Sequence, residues 1–128
     1  MIQAYLYIDS SDGRGRGVYT RENIPAQTII EVSPVLVMSG EERKLLDQTL
    51  LHDYIFEWGE LKDRCCVGLG YLSLYNHAVP SNSEYFMDYD QDIMFVKTVR
   101  TIQPGEEITI NYNGDYRNQE PVWFEALP

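Results

Sequence analysis

Residues Gly68–Asn82 read GLGYLSLYNHAVPSN, and this stretch changes character part-way through. Leu69, Tyr71, Leu72, Leu74 and Tyr75 predict a backbone that runs through the interior. Asn76 and His77 then bring hydrogen-bonding groups to the end of that buried run, where polar groups need partners. Two readings compete. One is an Asx-type turn followed by a satisfied core histidine. The other is a pair of side chains held for a ligand. The rest of the chain weighs between them.

Upstream, Ala4–Ile8 alternates weakly and reads as a strand, Ser10–Arg16 as a glycine-rich loop, and Gly17–Thr20 as the strand that resumes. A loop with glycines at 13, 15 and 17 suits a plain turn or a ligand lying close to the backbone. Thr28–Val32 and Val35–Met38 are rich in β-formers and read as strands broken at Pro34. Ser39 and Glu42 spell a capping box. Leu45, Leu46, Leu50 and Leu51 fall near helical spacing, which predicts one short amphipathic helix from residue 40 to about 51. Tyr54, Phe56 and Trp58 alternate as in a strand, residues 59–64 form a hairpin loop, and Cys65–Leu69 is the returning strand.

Downstream, Tyr85–Tyr89 and Ile93–Thr98 flank Asp90-Gln91-Asp92 as a hairpin with an acidic tip. A Pro104-Gly105 turn precedes a strand at Ile108–Ile110. Arg21, Ile24 and Ile30 recur as Arg100, Ile102 and Ile108, an echo expected of two similar hairpins. Many short strands, one helix and no βαβ alternation predict a mostly β chain. They also exclude a dinucleotide-binding role for the glycine loop, which would need a helix directly after it.

The totals narrow the function. A chain of 128 residues is expected to form one domain, and 44% apolar with 23% charged residues is a globular composition. The net charge of −10 opposes a phosphate-binding surface, so no direct nucleic-acid binding is expected. It favours a basic partner, although solubility alone would also account for it. Cys65 and Cys66 are adjacent, a spacing that strains a disulfide between them, and they form no zinc or other metal signature, which fits a reducing compartment. The start of the chain lacks the pattern of a signal peptide, and no apolar run approaches the ~20 residues of a membrane span.

Four separated signals can now be read together. They are Gly15-Arg16-Gly17-Val18-Tyr19, Asn76-His77 after an apolar run, Asn82, and Gly105-Glu106-Glu107-Ile108-Thr109-Ile110-Asn111-Tyr112. Their order and spacing resemble the SET domain of protein lysine methyltransferases, and the small free-standing members of bacteria and large viruses in particular. The resemblance extends from about Tyr5 to Trp123. It departs from the family pattern at Ala78 and Val79, where serine and cysteine are usual, in a proline shifted by one position, and at Asn111, where aspartate is more common.

The resemblance implies a β-clip fold of several short sheets with a C-terminal pseudoknot, an exception to the rule against threading. It implies one domain over residues 1–128, with the tail from about 113 closing the site. It implies S-adenosyl-L-methionine as cofactor, held by Gly15, Arg16, Gly17, Asn76 and His77, with Tyr116, Trp123 and Phe124 covering it. Tyr112 would be the catalytic residue, and Tyr54 and Tyr116 would line the lysine channel. The implied partner is a basic, histone-like protein or peptide, drawn to acidic residues such as Glu84, Asp88, Asp90 and Asp92. Pairing into a homodimer could complete the substrate groove. The implied location is intracellular: cytoplasmic in a bacterium, nuclear in a eukaryote or virus. The alternative reading is a β-clip domain without methyl transfer that serves as a protein-binding module. Transfer to a small amine is a third class.

Overall fold

The computed structural model describes residues 1–112. Its strands are β1 (Leu6–Ser11), β2 (Gly15–Thr20), β3 (Ile29–Met38), β4 (Ile55–Trp58), β5 (Arg64–Gly68), β6 (Asn76–His77), β7 (Ser83–Asp88), β8 (Ile93–Thr98) and β9 (Glu107–Ile110). One α-helix, α1 (Gly40–Leu46), is present among the described residues. The strands form two sheets, ordered β1-β2-β9-β6 and β4-β5-β3-β8-β7. Val18, Ile24, Ile30, Trp58, Leu72, Tyr75, Met94, Val96, Ile102 and Ile108 fill the core between them.

Several expectations change in detail. The glycine loop is a tight hairpin rather than a long excursion, because β1 runs on to Ser11 and β2 begins at Gly15. Pro34 does not break β3. That strand pairs with β8 through Pro34 and with β5 from Val35 onward, so the residue without an N–H sits at the handover between partners. The β7–β8 hairpin forms as expected, with Asp88 Oδ1 accepting from the Asp90 and Gln91 amides at 3.0 and 3.2 Å. That assigns Asp88 to turn formation. The two echo segments pair with each other: Ile24 and Ile102 exchange both backbone hydrogen bonds at 2.9 Å.

The helix is shorter than its leucine spacing suggested. Its start is as expected, with Ser39 Oγ accepting from Glu42 N and Glu42 Oε2 accepting from Ser39 N, both at 3.1 Å. It ends near Asp47 because Thr49 takes over the backbone. The Thr49 hydroxyl donates to Leu46 O at 2.7 Å and accepts from Leu51 N at 3.2 Å, capping a separate 3₁₀ turn, Leu50–Tyr54. No residue of α1 is buried, and Leu45 and Leu50 are 68% and 77% exposed. The leucine stripe is therefore no core contact, and Tyr54 belongs to the 3₁₀ turn rather than to a strand.

The opening stretch is also resolved. Gly68 must lack a side chain, since a Cβ there would lie 2.4 Å from Leu72 Cβ. After a 3₁₀ turn at Leu72–Leu74 the chain enters β6, a two-residue strand parallel to β9. The expected turn from Asn76 thus begins as a strand, and Ala78 N continues the ladder to Ile110 O at 3.1 Å.

Candidate active site

The four-stranded sheet brings three distant segments together. β2 pairs antiparallel with β9 (Val18↔Ile108, Tyr19↔Glu107), and β6 pairs parallel with β9 on its other side (Asn76↔Thr109, His77↔Ile110). Ile108 and Ile110 anchor β9 in the core. Asn82 clamps the same strand. Its side chain donates to Glu107 O at 2.8 Å and accepts from Thr109 N at 2.9 Å. Of the four sequence signals, Asn82 is therefore the one that holds the others in register.

Glu107 is the hub of the site. Its Oε1 accepts from Ser11 Oγ at 2.8 Å and from Arg14 Nη2 at 2.7 Å, and its Oε2 accepts from Asn76 Nδ2 at 2.6 Å. Asn76 Nδ2 also donates to Arg16 O at 3.1 Å, and Arg14 Nη1 donates to His77 O at 3.0 Å. Gly17 completes the cradle: a Cβ there would fall 2.2 Å from Glu107 Oε2 and 2.9 Å from Asn76 Nδ2. Gly15 plays a different part. It needs a positive φ of 74°, yet a Cβ on it would meet nothing within 4 Å. Neighbouring Glu106 faces away to Arg100 at 2.6 Å, and that hydrogen bond holds its carboxyl below the usual range.

Tyr112 stands two residues past the end of β9, beside His77. Its amide donates to His77 Nδ1 at 3.1 Å, so the imidazole proton resides on Nε2. The two rings lie 5.3 Å apart. The Tyr112 hydroxyl donates to Tyr75 O at 2.7 Å, and its own carbonyl accepts from Tyr85 Oη at 2.8 Å. Phe56 closes the cluster, 5.3 Å from Tyr85 and 6.1 Å from Tyr112. Burial, followed by the nearby Tyr54, pushes the Tyr112 phenol up to about 12, with Arg14 opposing. Burial raises Tyr85 as well. These phenols stay neutral at physiological pH, so they act as dipoles and donors rather than as anions.

The sequence-derived residues Gly15, Arg16, Gly17, Asn76, His77 and Tyr112 thus assemble in one region, with Tyr54 close to Tyr112. Tyr116, Trp123 and Phe124 lie outside the described residues. Arg14, Glu107, Phe56 and Tyr85 were not singled out from the sequence. Period-2 alternation in Glu107-Ile108-Thr109-Ile110 could have shown that Glu107 leaves the Ile face of β9. No local signal marks Arg14 or Tyr85.

The sequence profile of the SET domain matches residues 15–113. The chain belongs to the SET-domain family. It is 39% identical over 126 residues to the histone-lysine N-methyltransferase, H3 lysine-37 specific, of Schizosaccharomyces pombe, covering 98% of this chain and 80% of that protein. It also matches a solved Plasmodium falciparum structure named as a candidate histone methyltransferase, with a TM-score of 0.67, 30% identity, and coverage of 96% and 99% of the two chains. A ctPRC2 assembly bound to S-adenosylmethionine shares the fold at a TM-score of 0.75 with 18% identity, over 92% of this chain and 16% of that one. The mostly β, single-helix architecture of the described residues is thus a SET-domain fold. The parallel β6–β9 pairing lies at one edge of its four-stranded sheet.

Proposed function

We propose that this protein is an S-adenosylmethionine-dependent protein-lysine N-methyltransferase acting on a histone tail or a similarly basic protein. The supporting observation is the convergence of Gly17 from β2, Asn76 and His77 from β6, and Tyr112 around β9, in a family whose fission-yeast relative is named for histone H3 lysine methylation. The cradle fits the cofactor's amino-acid end. Gly17 lets the Glu107 carboxylate and the Asn76 amide lie directly against the backbone, Asn76 and the Arg16 carbonyl offer polar groups, and Arg14 with Glu107 sets opposite charges side by side. When bound, the cofactor supplies an electrophilic methyl group on a sulfonium.

The chain's own residues prepare the amine. A lysine must lose its proton before it can attack, and an aromatic wall of Phe56, Tyr85 and Tyr112, with Tyr54 nearby, disfavours the charged ammonium. The Tyr75 carbonyl accepts the hydrogen bond from the Tyr112 hydroxyl, so Tyr112 Oη meets an incoming amine with its own lone pairs, as an acceptor, and orients the amine. The substrate implies a nuclear location.

The test is transfer of labelled methyl from S-adenosylmethionine to histone H3. Tyr112→Phe is expected to lower kcat about 100-fold or more while cofactor binding by calorimetry stays intact. Absence of transfer by the wild type, or undiminished transfer by Tyr112→Phe, overturns the proposal. Basic-peptide binding without cofactor binding would favour a non-catalytic binding module instead.

A further inference from the structure

Glu31 is a carboxylate with no access to solvent, at 0% exposure. None of the described ion pairs includes it. Its partners are neutral donors. Ser33 Oγ donates to Oε2 at 2.7 Å, Tyr71 N to Oε2 at 2.9 Å, and Tyr75 Oη to Oε1 at 2.7 Å. A β-bulge between Ile29 and Glu31 accompanies this placement, and the consecutive Ile30 and Glu31 are both fully buried. The chain makes room for the carboxylate at Gly70, where a Cβ would lie 2.5 Å from Glu31 Oε2.

Burying a carboxylate without a cation is costly, and an apolar residue of similar size would fill the space more cheaply. What the carboxylate does here is directional. Two of its three bonds end on the run that leads into Asn76-His77. One holds the Tyr71 amide, ahead of the 3₁₀ turn Leu72–Leu74, and the other holds the Tyr75 phenol just after it. Tyr75 is itself fully buried, and its carbonyl is the acceptor for the Tyr112 hydroxyl. A continuous path therefore runs from Glu31 Oε1 through the Tyr75 side chain and carbonyl to Tyr112 Oη, with a hydrogen bond at each end.

We propose that Glu31 is a positioning residue for the Tyr112 hydroxyl, acting through Tyr75. It sets the height and tilt of the Tyr75 carbonyl, and hence the direction in which the Tyr112 hydroxyl donates its hydrogen bond. The kinetic consequence rests on the methyl-transfer reading, whereas the structural consequence does not. Tyr75→Phe is the cleanest variant. It removes one hydroxyl, keeps the ring and carbonyl, and cuts the path at Glu31. Glu31→Gln replaces an accepting oxygen with a donor. Ser33→Ala is the control, because it removes a Glu31 bond that does not lie on the path.

Two readouts separate positioning from general stability. The first is the Cζ resonance of Tyr112 in ¹³C-tyrosine-labelled protein, assigned by its loss in Tyr112→Phe. In Tyr75→Phe and Glu31→Gln it is expected to shift at neutral pH and to begin titrating at lower pH. In Ser33→Ala it is expected to stay in place. The second is steady-state methyl transfer, where the first two variants are expected to lose about ten-fold or more in kcat with cofactor Kd essentially unchanged. An unmoved Tyr112 resonance in folded Tyr75→Phe overturns the proposal, as does an equal shift in Ser33→Ala. A wild type that transfers no methyl group defeats the functional reading alone, and the resonance still decides the role of Glu31. Should Glu31→Gln fail to fold, Tyr75→Phe decides it.

Discussion

Glu31 and Glu107 serve the same neighbourhood in opposite ways. Glu107 keeps 13% of its side chain exposed and is held by Ser11, Asn76 and Arg14, whose own side chain is 44% exposed. Glu31 is sealed in the core and held by two hydroxyls and an amide. A carboxylate at a water-accessible edge can exchange partners when a ligand arrives, because solvent screens each step. A carboxylate in the interior cannot, because any lost partner leaves an unpaired charge in a low dielectric. The first kind suits a binding cradle and the second a fixed scaffold. Their separation lets the site adjust at Asn76 and Arg16 while Tyr112 stays aimed.

The contrast is tested hardest at the glycines. Gly70→Ala places a methyl 2.5 Å from Glu31 Oε2 and 2.7 Å from Ser33 Oγ, at a φ of +71°. Neither neighbour can retreat, so a loss of about 3–5 kcal/mol in urea denaturation is expected. The same change at Gly15, beside the open cradle, has the strained φ but no clash. It should cost only about 1–2 kcal/mol. Equal losses at the two positions would mean that the Glu31 pocket is not full.

Alkaline pH should weaken the sealed end next. The folded state holds the Tyr112 phenol at about 12, against an ordinary value of 10.0. A raised value of this kind contributes stability that is complete below pH 10 and is lost as pH rises from 10 through 12. For Tyr112 alone this amounts to about 3 kcal/mol. Tyr75 shifts the same way, through burial and then the Glu31 charge, and Cys66 is pushed up to about 12 by burial. Chemical denaturation compared at pH 8 and pH 11 checks this. A midpoint unchanged at pH 11 would contradict the buried-phenol account.

The smallest effect belongs to the open end. Glu107→Gln keeps the shape but forfeits the charge-assisted bonds to Arg14 and Asn76, for a loss of about 1–2 kcal/mol. The loss should shrink as salt is added, since Arg14 is half in water. A salt-independent loss as large as that of Gly70→Ala would erase the distinction between the two carboxylates.

Much of this was legible before any coordinates. The β7–β8 hairpin and the capping box of α1 follow from periodicity or turn chemistry within a few residues, and the run before Asn76 is buried at Leu72 and Tyr75, although its first leucine, Leu69, is 46% exposed at the turn after β5. Local setting marked only the polar pair Asn76-His77, whereas Gly17 and Tyr112 could be named because the order and spacing of their motifs resemble the SET domain. Two departures from local pattern have local causes. Thr49 ended a helix that leucine spacing carried further, and Pro34 proved harmless because β3 changes partners there.

The sequence by itself therefore determined the parts: short strands, glycine turns, a polar pair at the end of a buried segment and a phenol after the last strand. Only the tertiary structure decided what those parts meet. Asn76 and Glu107 are 31 residues apart in the chain, and Glu31 and Tyr75 are 44 apart. Which carboxylate finds an arginine and which finds only neutral donors depends on strands β2 and β6 flanking β9, and on a bulge in β3. Local pattern carries no record of such neighbours, because periodicity reports which face of an element is buried and not what packs against it.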